Sequence, residues 1–266
     1  MALVILGVYS LLALSAELGA NVGGQGLDPV WSAAQQRGHL RVAADFGFAP
    51  FTGMRQVTVD GQTREEPIGY DIDLAQAIGQ KVGLSVEFVP TTLEAAYEDL
   101  AGGRADMVVS ALPYAPEQGW RALFSTFYFN AGQVVVVPQQ SSITASDQLS
   151  GRSIGVPLGS DADTYARSLA AADPTITLRA DYDTPPEVLD ALSRGEIDAA
   201  IVDNAAALIG IARRPGLRFV PPALTLEPYT IAVSSRAFLL RDKVNAALEE
   251  LRLEGFFERN GEKWFR

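Results

Sequence analysis

The sequence predicts an α/β protein built as two lobes on one plan, and two observations carry that prediction. From about residue 31 onward, short apolar runs alternate with amphipathic stretches, the pattern of strands interleaved with helices. Inside that alternation one segment is echoed. Leu100-Ala-Gly-Gly103-Arg-Ala-Asp106-Met-Val-Val109-Ser110 is matched in spacing by Leu192-Ser-Arg-Gly195-Glu-Ile-Asp198-Ala-Ala-Ile201-Val202. Each copy reads as a helix end, a Gly stop, an Asp and a fully apolar strand. Thr92 and Thr184 stand at the same offset before the two copies.

The elements follow in order. Residues 40–44 read as a strand, and 45–52 form an aromatic, Pro-containing loop. A Val-Asp-Gly-Gln turn within 56–63 marks a hairpin or a surface insertion. Residues 71–82 read as a helix, 85–90 as a strand and 93–101 as a helix. A buried strand at 107–109 and an apolar strand at 133–138 precede a Ser/Thr-rich joint at 141–146. A strand (153–156) and two helices (161–171 and 185–194) come next, then a strand (199–202) and a helix (204–212). A strand at 229–233 leads to closing helices at 239–254 and 255–264.

At 266 residues the chain can bury a sizeable core, as one large domain or two lobes. Apolar residues at 48% and charged residues at 20% exclude the disordered and collagen-like classes. The absence of Cys removes disulfides, thiolate metal sites and Cys nucleophiles. The single His, His39, excludes a His-rich metal site and reads as a surface residue in a turn before the first strand. A net charge of −11, from 32 acidic and 21 basic residues, argues against nucleic acid and for a small-molecule partner. No cofactor and no metal are expected.

Residues 2–16 carry no charge and are rich in Leu, Val and Ile. The stretch is short for a membrane span and suits the apolar region of an export signal, although it lacks a Lys/Arg start. It reads as a signal or an uncleaved anchor ahead of a flexible linker at 21–27.

Three places could carry chemistry. Asp45 and the rings of Phe48 and Phe51 follow the first strand, an arrangement suited to a cation or a flat polar group. The alternative is that both rings plug the core and Asp45 caps a turn. Gly159-Ser160-Asp161 leads from a strand into a helix, where free N–H groups bind anions, or where an ordinary joint needs a cap. Asp203 closes the apolar strand 199–202 and either faces a cleft or caps the helix after it. Ligands in open α/β sheets sit beyond the strand carboxyl ends, so Ser110 and Asp203 should face a shared cleft. Ser110 and Ser160 lack a His base, and no paired carboxylates suggest a glycosidase.

Read together, the motifs resemble the type 3 extracytoplasmic solute-binding proteins of ABC importers. The resemblance rests on Gly38-His-Leu-Arg-Val-Ala, Ala49-Pro-Phe51 and Gly69-Tyr-Asp-Ile-Asp-Leu-Ala75. Further marks are Gly103-Arg-Ala-Asp106, Phe124-Ser-Thr-Phe-Tyr128, Gly195-Glu-Ile-Asp198-Ala and Glu262-Lys-Trp-Phe265. It implies the two-lobed periplasmic-binding-protein fold of type II, with two strands crossing at a hinge that closes on a solute. After a signal or anchor and linker at 1–30, lobe one would comprise 31–131 plus 231–266, and lobe two 132–230. The crossings would fall near 131–134 and 230–233. It further implies an extracytoplasmic monomer that hands a small polar solute, an amino acid or an amine-type cation, to membrane permease subunits.

The resemblance places Asp45, Phe48, Phe51, Ser110, Ala111, Leu112, Tyr114, Gln118, Gly159, Ser160, Asp161 and Asp203 at the ligand. It also implies an Arg for the ligand carboxylate eight residues after the strand end, where this chain has Gln118. Arg121 is three positions further on and would point elsewhere, unless the alignment shifts. The usual Gly-Ser/Thr-Thr turn reads Gly159-Ser160-Asp161, and the usual stacking aromatic aligns with Leu93. A lost Arg and a gained Asp describe an acidic cleft suited to a cationic or neutral polar ligand. One rival is an exported enzyme resembling cyclohexadienyl dehydratases, which needs a general acid and a carboxylate-binding Arg. Another is a sensory or scaffold module with a degenerate cleft.

Overall fold

The computed structural model describes residues 28–266 except residue 60. The segment read as an export signal or anchor, and the linker at 21–27, lie outside the described residues. Helix α1 (Pro29–Arg37) leads into β1 (His39–Ala44), a hairpin of β2 (Gly53–Val59) and β3 (Gln62–Ile68), α2 (Tyr70–Val82) and β4 (Ser85–Pro90). Next come α3 (Ala96–Ala101), β5 (Met107–Val108), β6 (Ala122–Phe124) and the short β7 (Phe129–Asn130). The chain continues through β8 (Gln133–Pro138), β9 (Ser153–Pro157), α4 (Asp161–Ala172), β10 (Thr177–Tyr182) and α5 (Pro185–Ser193). Strand β11 (Ala199–Asp203), α6 (Asn204–Arg213) and β12 (Leu217–Val220) follow, then β13 (Pro228–Tyr229), β14 (Ala232–Ser234), α7 (Phe238–Leu253) and α8 (Phe256–Trp264).

Two five-stranded sheets form the two lobes, in the orders β4-β1-β5-β14-β6 and β10-β9-β11-β8-β12. In each, three parallel strands are followed by one antiparallel strand and then by a fifth that runs with the first three. The echoed segments occupy matching places, at β5 and β11. Gly103 (φ +70°) and Gly195 (φ +71°) both take the left-handed conformation that the turn into the strand requires.

The echoed Asp residues do the same work in each lobe. Asp106 accepts from the Arg41 backbone N–H at 2.9 Å, and its own N–H donates to the Arg41 carbonyl at 2.8 Å. Asp198 accepts from the Ser153 N–H at 2.8 Å, and its N–H donates to the Ser153 carbonyl at 2.9 Å. Each carboxylate therefore fixes the register of a parallel neighbour at its amino end. The opposite, carboxyl ends are free to carry a site.

The first lobe's core is aromatic. Phe51, 1% exposed, meets Tyr70, Phe129, Tyr229 and Phe265 with ring centroids 5.1–5.8 Å apart. Those partners come from α2, both hinge strands and the C-terminal end, so one ring knits distant parts of the chain. Gly69 makes this possible. Its φ is +141°, and a Cβ there would stand 2.1 Å from the Phe51 carbonyl oxygen. Gly69→Ala is expected to cost about 2 kcal/mol or more from strain alone, read as a lowered urea midpoint.

The lobes are joined where β7 and β13 pair antiparallel, Pro228 with Asn130 and Tyr229 with Phe129. The Asn130 side chain organises this crossing. Its amide donates to the Thr225 carbonyl at 3.1 Å, and its carbonyl oxygen accepts from Gly132 N–H at 3.0 Å and Glu227 N–H at 2.8 Å.

Candidate ligand-binding site

The loop after β1 builds the first-lobe wall. The Asp45 N–H donates to Ser110 Oγ at 2.9 Å, which ties the ends of β1 and β5 together. One Asp45 carboxylate oxygen accepts from the Gly47 N–H at 3.0 Å, so the side chain does cap a turn. Phe48 is 46% exposed and stacks on Phe51 at 5.8 Å with an interplanar angle of 18°. The expectation for Phe51 is corrected here. It is a core ring that backs Phe48 from beneath, because the aromatic cluster has already taken its faces.

Ser110, Ala111 and Leu112 are buried at the turn after β5. Ala111 has φ +45°, and its N–H is donated to the Asp71 carboxylate. The Leu112 carbonyl accepts from Thr230 N–H at 2.9 Å. These backbone groups hold the wall in place, and the Ala111 N–H is already committed to Asp71. Tyr114 is exposed, rests edge-on against Phe124 at 5.2 Å, and donates its N–H to the Pro228 carbonyl at 2.9 Å. Gln118 lies in a short 3₁₀ turn, half-buried, with its Oε1 buried and lacking a hydrogen-bond partner. Arg121 is drawn away toward α3, over the rings of Trp120 at 5.2 Å and Tyr97 at 5.9 Å, with Glu98 at 3.9 Å. Leu93 is partly exposed in the turn ahead of α3.

Asp71 explains the rigidity of this wall. It is fully buried at the start of α2, and its carboxylate accepts from Ala111 N–H and from Tyr128 Oη, the latter at 3.0 Å. Burial pushes its pKa from 3.8 up to about 7, against the opposing pull of those hydrogen bonds. The folded state therefore holds a proton that the unfolded chain releases near pH 4. The resulting stability is full below about pH 4 and is lost as pH rises through about 7. Asp71→Asn, which cannot titrate, is expected to flatten that fall when urea midpoints are compared from pH 4 to 8.

The second-lobe wall is a concavity of about 320 Å³. Gly159, Ser160, Asp161 and Asp203 line it together, joined by Gln133 and Asp183. The amino end of α4 is satisfied internally. Ser160 Oγ accepts from Asp163 N–H at 3.1 Å and donates to the Pro157 carbonyl at 2.7 Å, while Asp163 takes the Gly159 N–H at 2.9 Å. An incoming carboxylate would have to displace a resident one. Asp161 is exposed at the first position of that helix.

Asp203 ends β11. Its Oδ1 accepts from Ala206 N–H at 2.8 Å and caps α6, while the residue lines the concavity. Burial raises its pKa above the carboxylate range, the cap hydrogen bonds oppose this, and the charge of Glu227 adds to the rise. Glu227 and Tyr229 escape the sequence reading. The Tyr229 hydroxyl is pushed up to about 12, first by burial and then by the charges of Asp203, Asp71 and Glu227. Three acids from different parts of the chain thus bear on the Tyr229 hydroxyl at the hinge. Asp183 escapes for a different reason: it follows β10, an edge strand whose polar sequence hides it.

The cleft is open. Among the described residues no hydrogen bond joins residues 45–52 or 110–121 to residues 157–161 or 183–185.

Comparison with known proteins agrees with this architecture. Residues 40–266 match the family of bacterial extracellular solute-binding proteins, family 3. A probable histidine-binding protein of Neisseria gonorrhoeae is 31% identical, over 96% of this chain and 92% of that one. A putative ABC transporter arginine-binding protein of Escherichia coli is 27% identical, over 85% of this chain and 90% of its own length. A solved ancestral cationic amino acid solute-binding protein is 28% identical with a TM-score of 0.63, covering 88% of this chain and 99% of that one. With two like-built lobes, a hinge between them and the family match spanning nearly all the described residues, the chain belongs to the bacterial extracellular solute-binding proteins of family 3.

Proposed function

We propose that the cleft captures a cationic amino acid or a related amine and presents it, closed, to an ABC importer. One observation carries this reading. The second-lobe concavity is lined by Asp161, Asp183 and Asp203, and among the described residues neither Lys nor Arg lines it. An ammonium or guanidinium group would pair with these carboxylates through charge-assisted hydrogen bonds. Phe48 and Tyr114 offer exposed ring faces for the apolar or cationic body of the solute. The names of the arginine-binding relative and of the ancestral cationic amino acid binder support the same class of solute. The protein would act outside the cytoplasm as a monomer. Among the described residues no helix is long and apolar enough to cross a membrane.

Binding without turnover is part of the proposal, because Gln118 stands where the resemblance implies a carboxylate-gripping Arg. Purified protein should leave arogenate and prephenate unchanged. Calorimetric titration with arginine, lysine, putrescine, glutamine and glutamate tests the solute class. The cations should bind, and binding should weaken as falling pH protonates Asp203, beginning above the ordinary carboxylate range. Tight binding of glutamate or glutamine, abolished by Arg121→Ala, would overturn the acid-cleft reading.

A further inference from the structure

A second cavity, of about 500 Å³, lies behind the hinge. It shares no lining residue with the second-lobe concavity of the cleft. Pro113 and Tyr114 meet β13 on the cleft side, whereas Phe129 of β7 lines the rear cavity. One wall belongs to each lobe: Leu208 and Ile211 on α6, and Phe257 on α8 with Phe265 just after it. The volume and aromatic lining suit a small organic molecule.

Its charge is negative. Glu258 lines the cavity and forms no ion pair among the described residues, while Glu262 on the same helix is matched by Arg266 at 3.1 Å. The Tyr70 hydroxyl, also in the lining, is raised by burial and then by the charges of Asp71 and Glu258. The Glu258 carboxylate therefore bears on the cavity interior.

Helix α6 couples the two places. Asp203 at its amino end lines the cleft, and Leu208 and Ile211 along its length form the rear wall. Ala205, Leu208 and Ile209 also pack against the first-lobe core, so α6 joins the two lobes at this cavity. Rotation of the lobes about the crossing strands must part the rear as it closes the front. We propose that this cavity is a second, regulatory binding site for a small apolar cation, and that its occupancy opposes cleft closure. A molecule bridging α6 and α8 binds the open form better than the closed form, and linkage makes it and the cleft solute mutually antagonistic.

Phenethylamine, an apolar ring bearing an ammonium, is the probe. Phenethylamine can also enter the amine-binding cleft, so the rear site is read as the part of its calorimetric binding that the two substitutions below remove. Glu258→Gln is expected to weaken the probe about tenfold, the loss of a hydrogen bond to a charged group. Ala212→Phe, at an exposed lining position, is expected to abolish that part of probe binding by filling the cavity. With saturating probe, the apparent Kd for arginine should rise to a plateau on the order of fivefold or more, and not in Ala212→Phe. If that variant does not fold, Glu258→Gln decides. The proposal is overturned if phenethylamine does not bind, if its binding ignores both substitutions, or if the arginine Kd rises without a plateau, which is competition in the cleft.

Discussion

Asp203→Asn is expected to weaken arginine binding by about two to three orders of magnitude while leaving the fold unchanged. Removing one partner of a desolvated ion pair typically costs about 3–5 kcal/mol, because the remaining charge stays buried without compensation. Asp203 meets the conditions for a cost of that size. It is largely removed from water, lies beside the hinge and shares its surroundings with Glu227 and Tyr229. The substitution isolates the charge from the cap. Asn serves as an N-cap about as well as Asp, so the hydrogen bond from Ala206 N–H survives. Asp203→Ala should add a loss of about 1 kcal/mol in stability from the missing cap. Calorimetry and thermal melting on both variants separate the two roles. Unchanged arginine affinity in Asp203→Asn would remove this residue from the site.

The largest effect on stability is expected from Phe51→Ala, at about 3–5 kcal/mol. The ring is 1% exposed and is contacted by Phe48, Tyr70, Phe129, Tyr229 and Phe265. Its removal leaves a void bounded by rings anchored in α2 and both hinge strands, which cannot collapse without moving the crossing. Phe48, the exposed neighbour, gives the contrast. Phe48→Ala should leave the melting temperature nearly unchanged and weaken arginine binding. Similar losses of stability in both variants would contradict the assignment of one ring to the core and the other to the cleft.

Much of the architecture was legible because local chemistry and tertiary role coincide. The echoed Gly-Arg-Ala-Asp and Gly-Glu-Ile-Asp segments announce a left-handed turn, a register-fixing carboxylate and a buried strand, and they perform those roles in both lobes. Among the edge strands of the two five-stranded sheets, β4 was legible and β6, β10 and β12 were not. β10 (Thr177–Tyr182) turns Arg179 and Asp181 to solvent, where they pair with each other at 2.9 Å, so its apolar content never rises. β6 and β12 are short edge strands of the same kind. The stretch 229–233 reads as one strand but is two, because Thr230 and Ile231 carry the chain from the hinge pair into the first-lobe sheet.

The site divides in the same way. Asp203 was legible because a carboxylate ending a run of buried aliphatics needs a partner. The roles of Phe48 and Phe51 were not, since spacing alone cannot say which of two rings a core will claim. Asp183 and Glu227 join the site only through the fold, one by following an unrecognised edge strand and the other by the return of the chain across the hinge.

The central claim is that three cleft carboxylates select the charge of the solute. Arginine and citrulline differ little in shape, and citrulline carries a neutral urea where arginine carries a guanidinium. Their dissociation constants, measured by calorimetry on the same protein, test that claim most directly. Arginine should bind about a hundredfold or more tighter, the scale of one buried charge pair. Equal affinities, or tighter binding of citrulline, would contradict it.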